Sequence, residues 1–133
     1  MTASVFLDTN VLIYAFGPDD KSGRAMALLS SPFVVGVQTL NEFSLAARRK
    51  LQMDWPDILR SINFIQSLAE TIVVTELDDL KRAVHLADRH KLPFFDAVMI
   101  ATALAAGCTS FMTEDLHAGL VIDNHLAITN PFA

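Results

Sequence analysis

Residues 4–15, SVFLDTNVLIYA, constrain the fold of this chain more than any other stretch. Ser4-Val5-Phe6-Leu7 has the β-branched and aromatic content of a short buried strand. Asp8-Thr9-Asn10 supplies residue types that open a helix, and Val11-Leu12-Ile13-Tyr14-Ala15 continues as a short one. In open parallel sheets, ligands sit beyond the carboxyl ends of the strands, and Asp8 is expected there. A buried carboxylate is costly unless paired, so Asp8 needs a donor, a cation or a metal.

The alternation continues along the chain. Gly17-Pro18-Asp19-Asp20 reads as a turn, and residues 21–30 as a helix with Ala25, Leu28 and Leu29 on one face, broken by Pro32. Residues 33–37 form a second buried strand. Thr39 opens a helix with Leu40, Phe43, Leu45 and Ala47 at its apolar positions, ending in Arg48-Arg49-Lys50. Asp54 begins another, with Pro56 tolerated in the first turn and Ile58, Leu59, Ile62, Ile65 and Leu68 inside. Residues 71–75 read as a third strand. Asp78 or Asp79 caps a helix to His90 that packs through Leu80, Val84, Leu86 and Ala87. After Pro93, residues 94–106 form an apolar helix closed by Gly107. Residues 109–112 make a fourth strand and 126–129 a weak fifth. Strands alternating with helices predict an α/β fold, a parallel sheet with helices on both faces.

A length of 133 residues suits one domain, spanning 1–133. With 52% hydrophobic and 19% charged residues, a full core is expected. No apolar run reaches the ~20 residues of a membrane span, so no membrane partner is expected, and MTASVFLD lacks the basic start of a signal peptide. The single cysteine, Cys108, rules out an internal disulfide and a thiol-based zinc site, fits a reducing cytoplasm, and reads as inert core. The net charge of −5 counts mildly against a nucleic-acid binder, although clustered metal-binding acids would themselves lower the total. The cation clusters, the run at Lys50 among them, read as solvated helix ends. His85, His90, His117 and His125 are scattered, without the spacing of a metal pair.

Four of the fifteen acids stand outside ordinary polar stretches. Asp8 and Asp115 follow strands, Glu42 lies one turn into a helix that follows a strand, and Asp96 interrupts the apolar run Phe94–Ile100. Each alone has a plain reading as a cap, a surface acid or a turn residue. Jointly they fall near one edge of the sheet, where carboxylates would repel by several kcal/mol at low effective dielectric. A divalent cation removes that conflict, and an all-oxygen ligand set favours Mg²⁺, or Mn²⁺, over zinc. Thr9, Asn10 and Thr113 are expected to orient these carboxylates. Glu114 competes with Asp115 for the last position; Asp115 is preferred, with Glu114 turned to solvent.

The pieces VFLDTNVLIYAF, TLNEF, FFDAVMIATALAAGC and FMTEDLHAG resemble, in order and over nearly the whole chain, the PIN-domain ribonucleases, and most closely the VapC-type toxins of bacterial toxin–antitoxin pairs. The resemblance implies a three-layer α/β/α sandwich around a parallel sheet. It also implies a Mg²⁺-dependent endoribonuclease whose catalytic and metal-binding residues fall on Asp8, Glu42, Asp96 and Asp115, with Thr9, Asn10 and Thr113 beside them. RNA as substrate, a cognate antitoxin protein and a homodimer follow from the same likeness, with residues 21–30 and 61–68 as a candidate antitoxin groove. An RNA-processing PIN nuclease, or a PIN module that binds RNA without cutting, is the alternative. A haloacid-dehalogenase-type phosphotransferase wants an acid where Asn10 stands. A receiver module wants a late lysine, and none occurs after Lys91.

Overall fold

The computed structural model describes residues 5–133; Ser4, read as opening the first strand, lies outside them. The elements run β1 (Val5–Leu7), α1 (Thr9–Phe16), α2 (Ser22–Leu28), β2 (Val34–Gly36), α3 (Val37–Lys50), α4 (Trp55–Leu68), β3 (Thr71–Val73), α5 (Leu77–His90), α6 (Phe94–Ala105), β4 (Ser110–Met112), β5 (Val121–Ile122) and β6 (Leu126–Thr129). The sheet order is β3-β2-β1-β4-β6-β5. Every neighbouring pair is parallel except β5 with β6.

Successive strand residues point to opposite faces, and this splits the core in two. Phe6, Val34 and Phe111 pack with α5 and α6, and the Phe6 and Phe111 rings stack at 5.4 Å. Leu7, Val35 and Met112 pack with α1, α2, α3 and α4. The result is the expected three-layer α/β/α sandwich around a mostly parallel sheet. Cys108 is fully buried in the first of these cores, and burial pushes its thiol up to about 11, as an inert position requires. No helix among the described residues is long and apolar enough to cross a membrane.

Several local expectations are corrected. Val37 belongs to α3, not to the second strand, because the Gly36 N–H donates to Thr39 Oγ1 at 3.1 Å and turns the chain two residues early. The start of α5 is capped from Glu76, whose N–H donates to the Asp79 carboxylate at 2.9 Å. Leu45 (64% exposed), Leu59 (58%) and Val84 (54%) face outward, and Leu68 and Leu80 are also exposed. Buried Ala46, Ser61 and Ala83 occupy the inward stripes instead. On a helix a one-position error rotates a side chain by about 100°. The strand β5 was not foreseen. It is two residues long and is made by a tight turn in which Asp123 and Asn124 both take positive φ, 52° and 54°, closed by His125 N–H to Ile122 C=O at 3.0 Å. His85, His117 and His125 are exposed, whereas His90 is half-buried.

Candidate active site at the carboxyl rim of the sheet

The central pair β1–β4 sets the floor of the site. Its register places Leu7 beside Met112. The pairing runs one step past the strands, with Asp8 N–H donating to Met112 C=O at 3.0 Å and Thr113 N–H to Thr129 C=O at 2.9 Å. Asp8 and Thr113 therefore leave the rim side by side on backbone already held by the sheet. Asp8 also caps α1, its Oδ1 accepting from Thr9 N–H at 2.7 Å, so the cap and the site acid are the same residue.

Asn10 ties the rim together. Its side-chain amide nitrogen lies 2.9 Å from Thr113 Oγ1, 3.1 Å from Asp115 Oδ2 and 3.4 Å from Asp8 Oδ2. Thr113 Oγ1 also accepts from Asp115 N–H at 3.1 Å. One amide thus links the acid after β1 to the acid after β4. The other two acids come from helix starts: Glu42 lies in the second turn of α3 and Asp96 in the first turn of α6, both half-buried.

These carboxylates act on one another. Asp8 is 3% exposed, and burial pushes its carboxyl up to about 7, with the charges of Asp96 and Asp115 adding to the rise against the Thr113 and Thr9 hydrogen bonds. Glu42 is raised by burial and then by Asp96; Asp96 is raised by burial and then by Asp115. The nearby Thr9 hydroxyl pulls Glu42 the other way. Neither Glu42 Oε2 nor Thr9 Oγ1, both buried, completes a hydrogen bond among the described residues. Nor do any three of the acids there stand close enough, as they are, to form a ready ion-binding group.

Glu114 does not point to solvent. Its carboxylate accepts from the Tyr14 hydroxyl and pairs with Lys21 Nζ at 2.7 Å, and these donors hold it below the usual carboxylate range. Lys21 also lies 4.8 Å above the Tyr14 ring. Glu114 is thereby turned toward α1 and the start of α2, leaving Asp115 as the acid that shares Asn10 with Asp8. A cleft of about 220 Å³ opens between them, lined by Asn10, Ile13, Tyr14, Lys50, Glu114 and Asp115.

A family model described as the PIN domain matches residues 5–119. The chain belongs to the PIN-domain family. Among curated proteins none matches it. Solved structures of similar fold include three proteins. The first is Mycobacterium tuberculosis VapC20, a sarcin-ricin-loop-cleaving toxin, at 18% identity and TM-score 0.69, covering 81% of this chain and 87% of that one. A toxin–antitoxin complex from Klebsiella pneumoniae follows at 22% identity and TM-score 0.73, covering 97% and 98%. VapBC2 from Rickettsia felis, bound to a DNA fragment from its promoter, matches at 16% identity and TM-score 0.68, covering 95% and 97%.

Within this PIN domain, sequence reasoning missed Tyr14, Lys21 and Lys50. Tyr14 carried a usable signal: Asn10, Ile13 and Tyr14 are spaced i, i+3, i+4 and so share one face of α1. Lys21 and Lys50 carried none, because tertiary packing alone brings them to the cleft.

Proposed function

We propose that this chain is a Mg²⁺-dependent endoribonuclease, with Mn²⁺ as a substitute, acting as the toxin of a toxin–antitoxin pair. The observation that carries the reading is the condition of Asp8: a nearly buried carboxylate whose charged neighbours at the rim are further acids, with its proton held to about 7. Its role as the cap of α1 does not call for a charge, since asparagine caps as well, and an unpaired buried charge is among the costliest features a fold can hold. Membership of the PIN family, and relatives named as toxins, support nuclease chemistry over a bare structural cluster.

The donor set fits a hard divalent cation. All four candidate ligands are carboxylates, and Glu42 Oε2 is a buried oxygen with no hydrogen-bond partner among the described residues. Asp8, Asp96 and Asp115 would hold the ion, with Glu42 directly or through water. When bound, it supplies a water of lowered pKa and positive charge against the phosphate oxygens. The protein's part is positional. Backbone pairing fixes Asp8 and Thr113, Asn10 holds Asp115 against both, and the Glu114–Lys21–Tyr14 contacts turn the neighbouring acid out of the way. Among the described residues no serine or histidine shares a hydrogen bond with these acids.

The test uses a single-stranded RNA with Mg²⁺ or with chelator. The parent should cleave only with the ion, and Asp8→Asn and Asp96→Asn should each lose at least about a hundredfold in rate. Cleavage by both variants at the parent rate overturns the assignment. The structural likeness to a toxin–antitoxin complex and to VapBC2 favours a cognate antitoxin as partner. Met26 on α2 and Phe64 and Leu68 on α4 are exposed apolar side chains available to it. A cytoplasmic homodimer belongs to the same reading. Growth arrest on expression, relieved by the partner protein, separates a toxin from an RNA-processing nuclease; binding without cleavage would identify an RNA-binding module.

A further inference from the structure

We propose that Lys50, across the cleft from Asp115, grips a phosphate of the RNA strand next to the one at the acids; the inference rests on the nuclease reading above. A chain of net charge −5 with an acidic rim repels a polyanion, so a strand entering this cleft needs a local cation. Arg49 does not line the cleft, and three other cations of the region are engaged. Lys21 is held by Glu114. Arg24 Nη1 donates to Pro131 C=O at 3.0 Å. Arg48 Nη1 donates to Met53 C=O at 3.1 Å while its guanidinium lies 4.7 Å over the Trp55 ring. Lys50 lines the cleft, is exposed, and takes part in none of the ion pairs among the described residues.

The geometry of α3 gives the direction. Glu42 and Lys50 are on the same helix, eight residues and so about 12 Å apart along its axis. An RNA strand lying along this helix meets the acids at one end and Lys50 at the other. A favourable interaction with the C-terminal end of the helix would explain a cation anywhere in the last turn, and Arg48 and Arg49 already provide it. It does not explain why the third cation of the run is the one in the cleft.

The experiment compares the parent with Lys50→Met, which keeps most of the aliphatic stem, with Lys50→Arg, and with Lys81→Ala on α5 as a control outside the cleft. A labelled single-stranded RNA is titrated with each protein at several salt concentrations, in an Asp96→Asn background to prevent cleavage. Cleavage with Mg²⁺ is followed in parallel in the unmodified background. Lys50→Met should bind several-fold more weakly, with a log–log salt slope shallower by about 0.7, the loss of one phosphate contact on a single strand. In cleavage it should raise KM and leave kcat nearly unchanged. Lys50→Arg should restore both, and Lys81→Ala should change neither. Equal slopes for Lys50→Met and the parent, or equal losses at Lys50 and Lys81, overturn the proposal while a parent that still cleaves RNA leaves the nuclease reading standing. A parent that cleaves no RNA with Mg²⁺ overturns both.

Discussion

The two ends of the acidic rim solve the same electrostatic problem in opposite ways. At the shallow end Glu114 has a lysine and a phenol beside it, and its proton is bound more weakly than usual. At the deep end burial and neighbouring acids act on Asp8, Glu42 and Asp96, and all three bind their protons more tightly than usual. A protein able to place Lys21 against Glu114 could have placed a cation against Asp8. The contrast separates a carboxylate neutralised by its own fold from carboxylates that are not, and on the proposed reading the second group awaits a cation; it can be tested from each end.

The largest effect is expected at the deep end. Asp8→Asn preserves the helix cap, since asparagine serves there as well as aspartate, but removes the buried charge. Asp8 titrates near 7 in the folded protein and near 3.8 when unfolded, so between these values the folded state binds more protons. Its contribution to stability is therefore fully present below about pH 4 and is lost as pH rises through 7. In chelator at pH 8, Asp8→Asn should be more stable than the parent by up to about 4 kcal/mol, and the gain should vanish near pH 4. Added Mg²⁺ should stabilise the parent and not the variant. Denaturant melts at the two pH values measure this, and a variant less stable than the parent at pH 8 would remove the contrast altogether.

The cost of burying Asp8 was legible in the sequence. Asp8 and Asp96 were visible because a charge inside an apolar run is anomalous whatever the fold, and the strand–acid–helix pattern placed Asp8 at a carboxyl edge. Helices on both faces of a parallel sheet were legible from the alternation of strands with helices along the chain. The helix faces were harder. Leu45, Leu59 and Val84 look like core by residue type, yet each lies a fraction of a turn from its buried stripe. β5 depends on two left-handed residues at a turn rather than on any apolar pattern. The shallow end was illegible because Tyr14, Lys21 and Glu114 come from separate segments, and an acid next to Asp115 gave no sign of which way it faced.

Asn10 joins the two ends, and its removal should have an intermediate effect. Its amide reaches Asp8, Thr113 and Asp115 from one nitrogen, while its Oδ1 accepts from Glu114 N–H at 3.4 Å. Asn10→Ala leaves every carboxylate in place but frees Asp115 to move relative to Asp8. The Mg²⁺ concentration for half-maximal cleavage should rise about 10- to 100-fold, as when groups that orient metal ligands are lost. At saturating Mg²⁺ much of the rate should return. A rate loss that no concentration of Mg²⁺ repairs would mean that Asn10 touches the substrate instead.

The smallest effect belongs to the shallow end. Glu114→Gln keeps the shape of the side chain and a hydrogen bond to Tyr14 but removes the charge facing Lys21. That lysine is exposed, and such pairs contribute little in water. Because Glu114 holds its proton more weakly when folded, its contribution is present above its unfolded value and fades as pH falls through the acid range, the reverse of Asp8. Glu114→Gln should therefore lower the melting temperature slightly at neutral pH, not at all in strong acid, and shift the Mg²⁺ requirement far less than Asn10→Ala does. If Glu114→Gln instead abolished cleavage as Asp8→Asn is expected to, the acid held by Lys21 would itself serve the ion, and the division between the two ends would be wrong.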